Sequence, residues 1–169
     1  PKNHNSIIFD LQKLNKIIEI NHDDMFVIVE AGCTWEKLYN ALKDKNLRTP
    51  YFGALSGLYS TVGGAMSQNS IFFGSGHYGS AADQCLGLEI VLADGSILRT
   101  GSWSTKFNPS PFFRSYGPDL TGVFLSDTGA LGFKTKIVMK LVNFPAITDF
   151  LSFSFQNYDE IANAMSEIS

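Results

Sequence analysis

Between Pro50 and Gly79 the chain carries Gly53, Gly57, Gly63, Gly64, Gly74, Gly76 and Gly79, with few charges among them. The stretch is too rich in glycine for a long regular element and too apolar for a loop that faces water. Backbone packed against a ligand, or against another domain, satisfies both conditions. The flanking sequence must then supply a scaffold that holds it.

That scaffold can be read from periodicity. Residues 6–11 and 17–20 read as short strands, and Phe26–Glu30 is a compact apolar strand. Thr34 is placed to cap a helix in which Trp35, Leu38, Tyr39 and Leu42 fall on one face. Asn46 is suited to end it in the left-handed conformation. Leu86, Leu88, Ile90 and Leu92 then alternate, and Asp94-Gly95 predicts a type I′ turn into residues 97–100. Residues 103–116 form an irregular excursion, Asp119 caps a short helix running to about Leu125, and residues 132–141 read as another strand. Beyond Pro145 the pattern starts afresh, with a predicted strand over 150–155. A helix follows, opened by Asn157 and Glu160, with Ile161, Ala164, Met165 and Ile168 on one face. A lone strand and helix cannot bury their own apolar faces, so residues 146–169 are expected to open a second domain. The fold class expected is α+β, a mixed or antiparallel sheet flanked by helices.

Composition narrows the function classes. With 169 residues the chain has enough length for one domain with a real core, and a net charge of −3 without a Lys/Arg stripe argues against nucleic-acid binding. No apolar run reaches the length of a membrane span, and Pro1-Lys2-Asn3-His4-Asn5-Ser6 lacks the apolar core of a signal peptide. The missing initial Met leads us to expect that the chain begins inside a longer protein. Cys33 and Cys85, far apart in sequence, are expected as buried reduced thiols in a protein that is cytoplasmic or peripheral to a membrane.

Several motifs fail on context. Gly74-Ser75-Gly76-His77-Tyr78-Gly79 matches G-x-G-x-x-G, yet only residues 80–85 precede the next strand, too few for a βαβ crossover. His4, His22 and His77 have no partner at metal-ligand spacing, so no metal site is expected. The serines show no nucleophile elbow. Two segments carry more. In Ser60-Thr61-Val62-Gly63-Gly64-Ala65-Met66-Ser67-Gln68-Asn69, hydroxyls and paired glycines could offer donors to phosphate oxygens, or could form a tight turn into a buried helix. Asp127-Thr128-Gly129-Ala130-Leu131-Gly132-Phe133-Lys134-Thr135 is a glycine-punctuated turn feeding a strand, able to press backbone against an aromatic ring.

Taken in order, these segments resemble the FAD-binding domain, of the PCMH type, shared by the vanillyl-alcohol oxidase superfamily. The likeness is strongest to its D-lactate dehydrogenase and glycolate oxidase branch. It covers residues 7–145. Ile7-Ile8-Phe9-Asp10-Leu11, the strand-to-helix junction Val29-Glu30-Ala31-Gly32-Cys33-Thr34-Trp35 and the 60–69 segment each match. So do the hairpin after His77-Tyr78-Gly79, Tyr116-Gly117-Pro118-Asp119-Leu120-Thr121 and the turn at 128–135.

The resemblance implies an FAD-linked oxidoreductase that takes a hydride from a 2-hydroxy acid onto flavin and passes electrons to a separate acceptor. It implies that groups around Ser56, Thr61, Val62, Gly63 and Gly64 hold FAD, and that Gln68, Asn69, Tyr78 and Gly79 line the path to the flavin. Gly129, Leu131, Gly132 and Phe133 would touch the dinucleotide largely through backbone. No catalytic residue is implied. Residues 1–145 would be part of the FAD-binding domain, lacking the family's glycine-rich pyrophosphate loop, and residues 146–169 the start of the substrate domain. This segment alone is expected to bind FAD weakly and to be inactive. Thr128 stands where many relatives carry Glu. The rival readings are another substrate on the same fold, of the alkyl-ether lipid synthase or sugar oxidase type, and a non-catalytic module.

Overall fold

The run Phe26-Val27-Ile28-Val29 is apolar without alternation, which suits a strand covered on both faces. The computed structural model, which describes residues 7–107, 110, 112–115 and 117–168, places it inside a five-stranded sheet. The strands are β1 (Ile17–Asn21), β2 (Phe26–Glu30), β3 (Leu47–Arg48), β4 (Cys85–Val91), β5 (Ile97–Arg99), β6 (Phe133–Lys140) and β7 (Val142–Asn143). The helices are α1 (Trp35–Lys43), α2 (Val62–Gln68), α3 (Ser75–Tyr78), α4 (Leu120–Val123) and α5 (Tyr158–Ile168). The main sheet runs β1-β2-β6-β4-β5 with every pairing antiparallel, and β3 pairs separately with β7. This is the α+β architecture expected. With four residues in α3 and no parallel pairing among the described residues, the G-x-G-x-x-G match at Gly74 has no crossover to serve.

Two cores form on the two faces. Val27 and Val29 of β2, Leu88 and Ile90 of β4, and Ile137 and Met139 of β6 point to the helical side. There they meet Trp35, Leu38 and Leu42 of α1 and Val62, Ala65 and Met66 of α2. The opposite residues Phe26, Ile28 and Val138 pack under Phe112, with Trp103 and Leu86 at the edge. Thr34 caps α1 by accepting the Lys37 N–H, Asp119 caps α4 by accepting the Gly122 N–H, and Asn46 takes φ of 57° in the turn after α1. Cys33 and Cys85 are free and fully buried. Burial pushes their thiols up, to about 11 and about 12.

Three expectations need correction. Residues 7–11 form no strand and pair with none of the described strands; Ile7 and Ile8 are exposed. Residues 150–155 likewise form no strand, and Phe150, Leu151 and Phe153 are exposed. The β4–β5 turn is not type I′, because Asp94 keeps negative φ and only Gly95, at 83°, is left-handed. The loop is Ala93-Asp94-Gly95, closed by Gly95 N–H to Leu92 O and Leu92 N–H to Ser96 O, both 2.9 Å. Ser6, Tyr116 and Ser169, which belonged to expected segments, lie outside the described residues, as does His4.

No residue beyond Leu141 is buried among those described. There α5 opens as expected, with Asn157 Oδ1 accepting the Glu160 N–H and Glu160 accepting from the Asn157 amide and the Gln156 N–H. No helix among the described residues is long and apolar enough to cross a membrane. None of their His, Cys, Asp and Glu side chains cluster as metal ligands would.

Candidate functional site

Four segments converge beside the sheet on a cleft of about 660 Å³. One wall is the irregular segment 8–12, and another is Ala31-Gly32 at the end of β2. The third is α2 with its cap, through Thr61, Gly63, Gly64 and Ser67, and the fourth is Thr128, Gly129 and Gly132 with the first residues of β6. The approach is close throughout. A Cβ on Gly32 would stand 2.2 Å from the Leu11 carbonyl oxygen, so only glycine lets residues 8–12 lie across the strand end.

The two adjacent glycines of α2 do different work. Val62 and Gly63 donate their N–H groups to the Cys33 and Ala31 carbonyls at 2.9 and 2.8 Å, and Gly64 donates to Thr61 Oγ1 at 3.2 Å. Of the two readings open for this segment, the tight turn into a buried helix is present: the junction after β2 takes the N–H groups of Val62 and Gly63, and Thr61 Oγ1 takes that of Gly64. Gly63 is a packing glycine, since its Cβ would meet the Ala31 Cβ at 2.7 Å. Gly64 is exposed, with only Thr61 Oγ1 within reach of a Cβ, so its missing side chain keeps the cleft floor open.

The loop before β6 is held from behind. The Asp127 carboxylate accepts the Gly129 and Leu131 N–H groups at 3.0 and 3.3 Å and pairs with Lys134 Nζ at 2.5 Å. Burial pushes the Asp127 carboxyl up, but the Lys134 ammonium and the loop N–H groups outweigh it and hold it below the ordinary carboxylate range. Ser126 and Thr128 donate their N–H groups to Met66 O and Ser67 O, tying loop and helix into one unit.

The cleft's electrostatics are mild. Asp10 and Lys134 are its only charged lining residues among those described, and Lys134 is neutralised by Asp127. Apolar surface comes from Ile8, Phe9, Leu11 and Phe133, the rings of Phe9 and Phe133 lying 4.5 Å apart at a tilt of 49°. Hydroxyls of Thr61, Ser67 and Thr128 border it. A side-chain-free floor, aromatic walls and hydroxyls around a cavity with one charged side chain left uncompensated, Asp10, fit a large planar group with polar substituents. Among the described lining residues no unpaired cation is available to a phosphate.

A second cavity, of about 520 Å³, shares Thr61 and Gly64 with the first and is lined by Trp35, Tyr51, Tyr59 and Gln68. The fully buried Trp35 Nε1 beside it has no hydrogen-bond partner among the described residues.

The expected site residues thus divide. Thr61, Gly63, Gly64, Gly129, Gly132 and Phe133, up to seventy-two positions apart (133 less 61), come together in the first cleft. Gln68 lines the second. Val62 is in the core, and Asn69, at φ of 46°, ends α2 with its Oδ1 accepting the Ala82 N–H. The Tyr78 hydroxyl accepts from Arg48 at 3.4 Å, under a guanidinium 5.6 Å from the ring, and Gly79 abuts the Asp83 carboxylate. Ser56, left-handed at 54°, and the half-exposed Leu131 line neither cavity. Sequence reasoning missed residues 8–12, Ala31, Gly32, Ser67, Thr128 and Lys134 as lining groups. The small pair Ala31-Gly32 directly after an apolar strand was the available signal.

Comparison with known proteins bears on this cleft. The profile of the family described as "FAD binding domain" matches residues 2–101. The chain is 32% identical over 162 residues to glycolate oxidase subunit GlcD of Bacillus subtilis (strain 168), covering 96% of this chain and 33% of that protein. It is 30% identical over 139 residues to a probable mitochondrial D-lactate dehydrogenase of Danio rerio, covering 82% of this chain and 27% of that one. A solved alkyldihydroxyacetonephosphate synthase superposes with a TM-score of 0.66 over 82% of this chain and 25% of its own, at 22% identity, which speaks to the fold. The chain spans about a third of the length of the curated relatives it matches.

Proposed function

The chain belongs to the FAD binding domain family, and on that premise we propose that the whole protein is an FAD-linked oxidoreductase oxidising a 2-hydroxy acid of the D-lactate or glycolate type. The observation that carries the reading is the open floor at Gly64 facing Gly129 and Gly132 across a partly aromatic cleft. Identity near 30% to a glycolate oxidase subunit and a probable D-lactate dehydrogenase supports the substrate class.

Hydride acceptance is the chemistry FAD supplies when bound, with electrons then leaving to a separate acceptor. This chain's residues would bind and orient it. Gly64 and Gly129 let backbone approach the cofactor without an intervening Cβ. The hydroxyls of Thr61, Ser67 and Thr128 are positioned to hydrogen-bond its polar edges, while Phe9 and Phe133 exclude water from one wall. We assign residues 1–145 to the cofactor domain and 146–169 to the opening of a substrate domain, a division supported by the absence of buried residues beyond Leu141 among those described.

The test is the purified full-length protein. It should carry visible flavin absorbance, bleached under anaerobic conditions by D-lactate or glycolate. A colourless protein that takes up no added FAD refutes the cofactor; a flavoprotein reduced by no 2-hydroxy acid refutes the substrate class.

A further inference from the structure

From the buried pair behind the cleft we propose that Asp127 is a positioning residue for the cofactor, acting through the backbone of the loop that follows it. The inference rests on the reading that this cleft holds FAD. Asp127 does not line the cleft; its side chain is 3% exposed, and that of its partner Lys134 is 2% exposed. A buried ion pair is a weak source of stability, since an apolar pair of similar volume often serves as well. What the carboxylate adds here is acceptance. Its two oxygens take the N–H groups of Gly129 and Leu131 together with the Lys134 ammonium.

Those bonds matter because the loop sits in an unfavourable conformation. Ser126, Thr128 and Gly129 have φ of 60°, 53° and 81°. The left-handed region is unfavourable for a non-glycine residue, so Ser126 and Thr128 must be held there by their surroundings. Asp127 grips the loop from below, and the Ser126 and Thr128 N–H groups fasten it to the end of α2. Thr128, Gly129 and Gly132 thereby face the cleft from one side while Thr61, Gly64 and Ser67 face it from the other. The Ser126 and Thr128 N–H groups set the distance of the loop from α2, and the acceptor at position 127 sets the course of Gly129 to Leu131 along the cradle.

Two double variants of the full-length protein separate acceptance from charge. Asp127→Asn with Lys134→Met removes both charges and keeps an acceptor oxygen; Asp127→Leu with Lys134→Met removes both charges and the acceptor. Reconstitution with FAD should show the Asn variant within about threefold of wild-type affinity and the Leu variant weaker by about tenfold or more. The visible circular dichroism of bound flavin should change in the Leu variant alone. Equal behaviour of the two variants, in affinity and spectrum, overturns the inference. If the Leu variant does not fold, Asp127→Ala with Lys134→Met takes its place against the Asn variant on the same Lys134→Met background. It should bind FAD about tenfold or more weakly and change the bound-flavin spectrum; affinity and spectrum equal to those of the Asn variant overturn the inference. Wild-type protein that binds no FAD sinks the cofactor reading itself, a result distinct from any difference between variants.

Discussion

Gly63 lies so close to Ala31 that a Cβ built on the glycine would stand 2.7 Å from the alanine's own Cβ and 2.8 Å from its carbonyl oxygen. Both contacts are to groups fixed by β2 and the junction after it, so neither can yield cheaply. Gly63→Ala is expected to destabilise the fold by about 1–3 kcal/mol through overpacking. Gly64→Val places its side chain in the open cleft, where the nearest atom is Thr61 Oγ1 at 3.1 Å. That change should lower flavin occupancy of the full-length protein while costing less stability than Gly63→Ala. Denaturant midpoints together with flavin content per chain check the contrast. A Gly64→Val protein with full flavin occupancy would be fatal to the cleft assignment.

Glu89 offers a pH prediction. It lies in β4 with 5% exposure and accepts from Arg99, Lys136 and Thr135. Burial pushes its carboxyl up, but the hydrogen bonds from Lys136, Arg99 and Thr135 outweigh burial and hold it below the usual 4.5. A depressed carboxyl binds protons less readily folded than unfolded. Its stabilisation is therefore complete above the unfolded value and is lost as pH falls through the lower folded value. Glu89→Gln should destabilise at neutral pH by about 1–3 kcal/mol, and the gap to wild type should narrow below pH about 4. Thermal melts at several pH values measure it; a gap that stays constant into acid removes the argument.

The sequence told the central elements well because their burial patterns are written in the residues themselves. Phe26–Glu30, the α1 stripe and the caps at Thr34 and Asp119 are all local statements. The failures are non-local. Residues 7–11 and 150–155 carry strand-forming side chains, but a strand exists only where another strand accepts its hydrogen bonds. Asp94-Gly95 invites a type I′ turn, yet Asp94 instead uses its Oδ1 to accept from the backbone and hydroxyl of Ser96, and the loop takes three residues. The cleft was half legible. Its glycines at 63, 64, 129 and 132 stood out as residues without Cβ, whereas Lys134, an ordinary strand residue in the sequence, enters only because the fold buries it against Asp127. The competition for the Val62 and Gly63 N–H groups was invisible for the same reason: their acceptors lie about thirty residues away.

The cysteines provide a clean probe of native burial. With burial pushing Cys33 to about 11 and Cys85 to about 12, neither thiol should be ionised or reachable at neutral pH. An aqueous thiol reagent is expected to leave both untouched in the folded protein and to modify both in denaturant. A thiol raised on folding contributes stability that is intact below its unfolded value, near 9.0 here, and is lost as pH rises toward the folded one. Alkaline destabilisation should accordingly begin above about pH 9 and weaken in a Cys85→Ala variant. Rapid native labelling of either cysteine would contradict the buried placement.

The segment after Leu141 can be tested by removing it. Ile147, Phe150 and Leu151 are 86%, 88% and 79% exposed, and Met165 and Ile168 on α5 are 67% and 77% exposed. A region that buries nothing against the sheet adds almost nothing to the sheet's stability. Cutting the chain after Pro145 should change the melting temperature of the 169-residue chain by less than about 2 °C. Limited proteolysis should open residues 146–157 first, since they lack regular secondary structure and stand in solvent. The same apolar face of α5 becomes informative in the full-length protein. If residues 146–169 open a second domain, Met165→Asp should destabilise the full-length protein by about 2 kcal/mol or more while leaving the 169-residue chain unchanged. Equal insensitivity in both proteins would mean that nothing covers this face, and residues 146–169 would then be a linker and not the start of a domain.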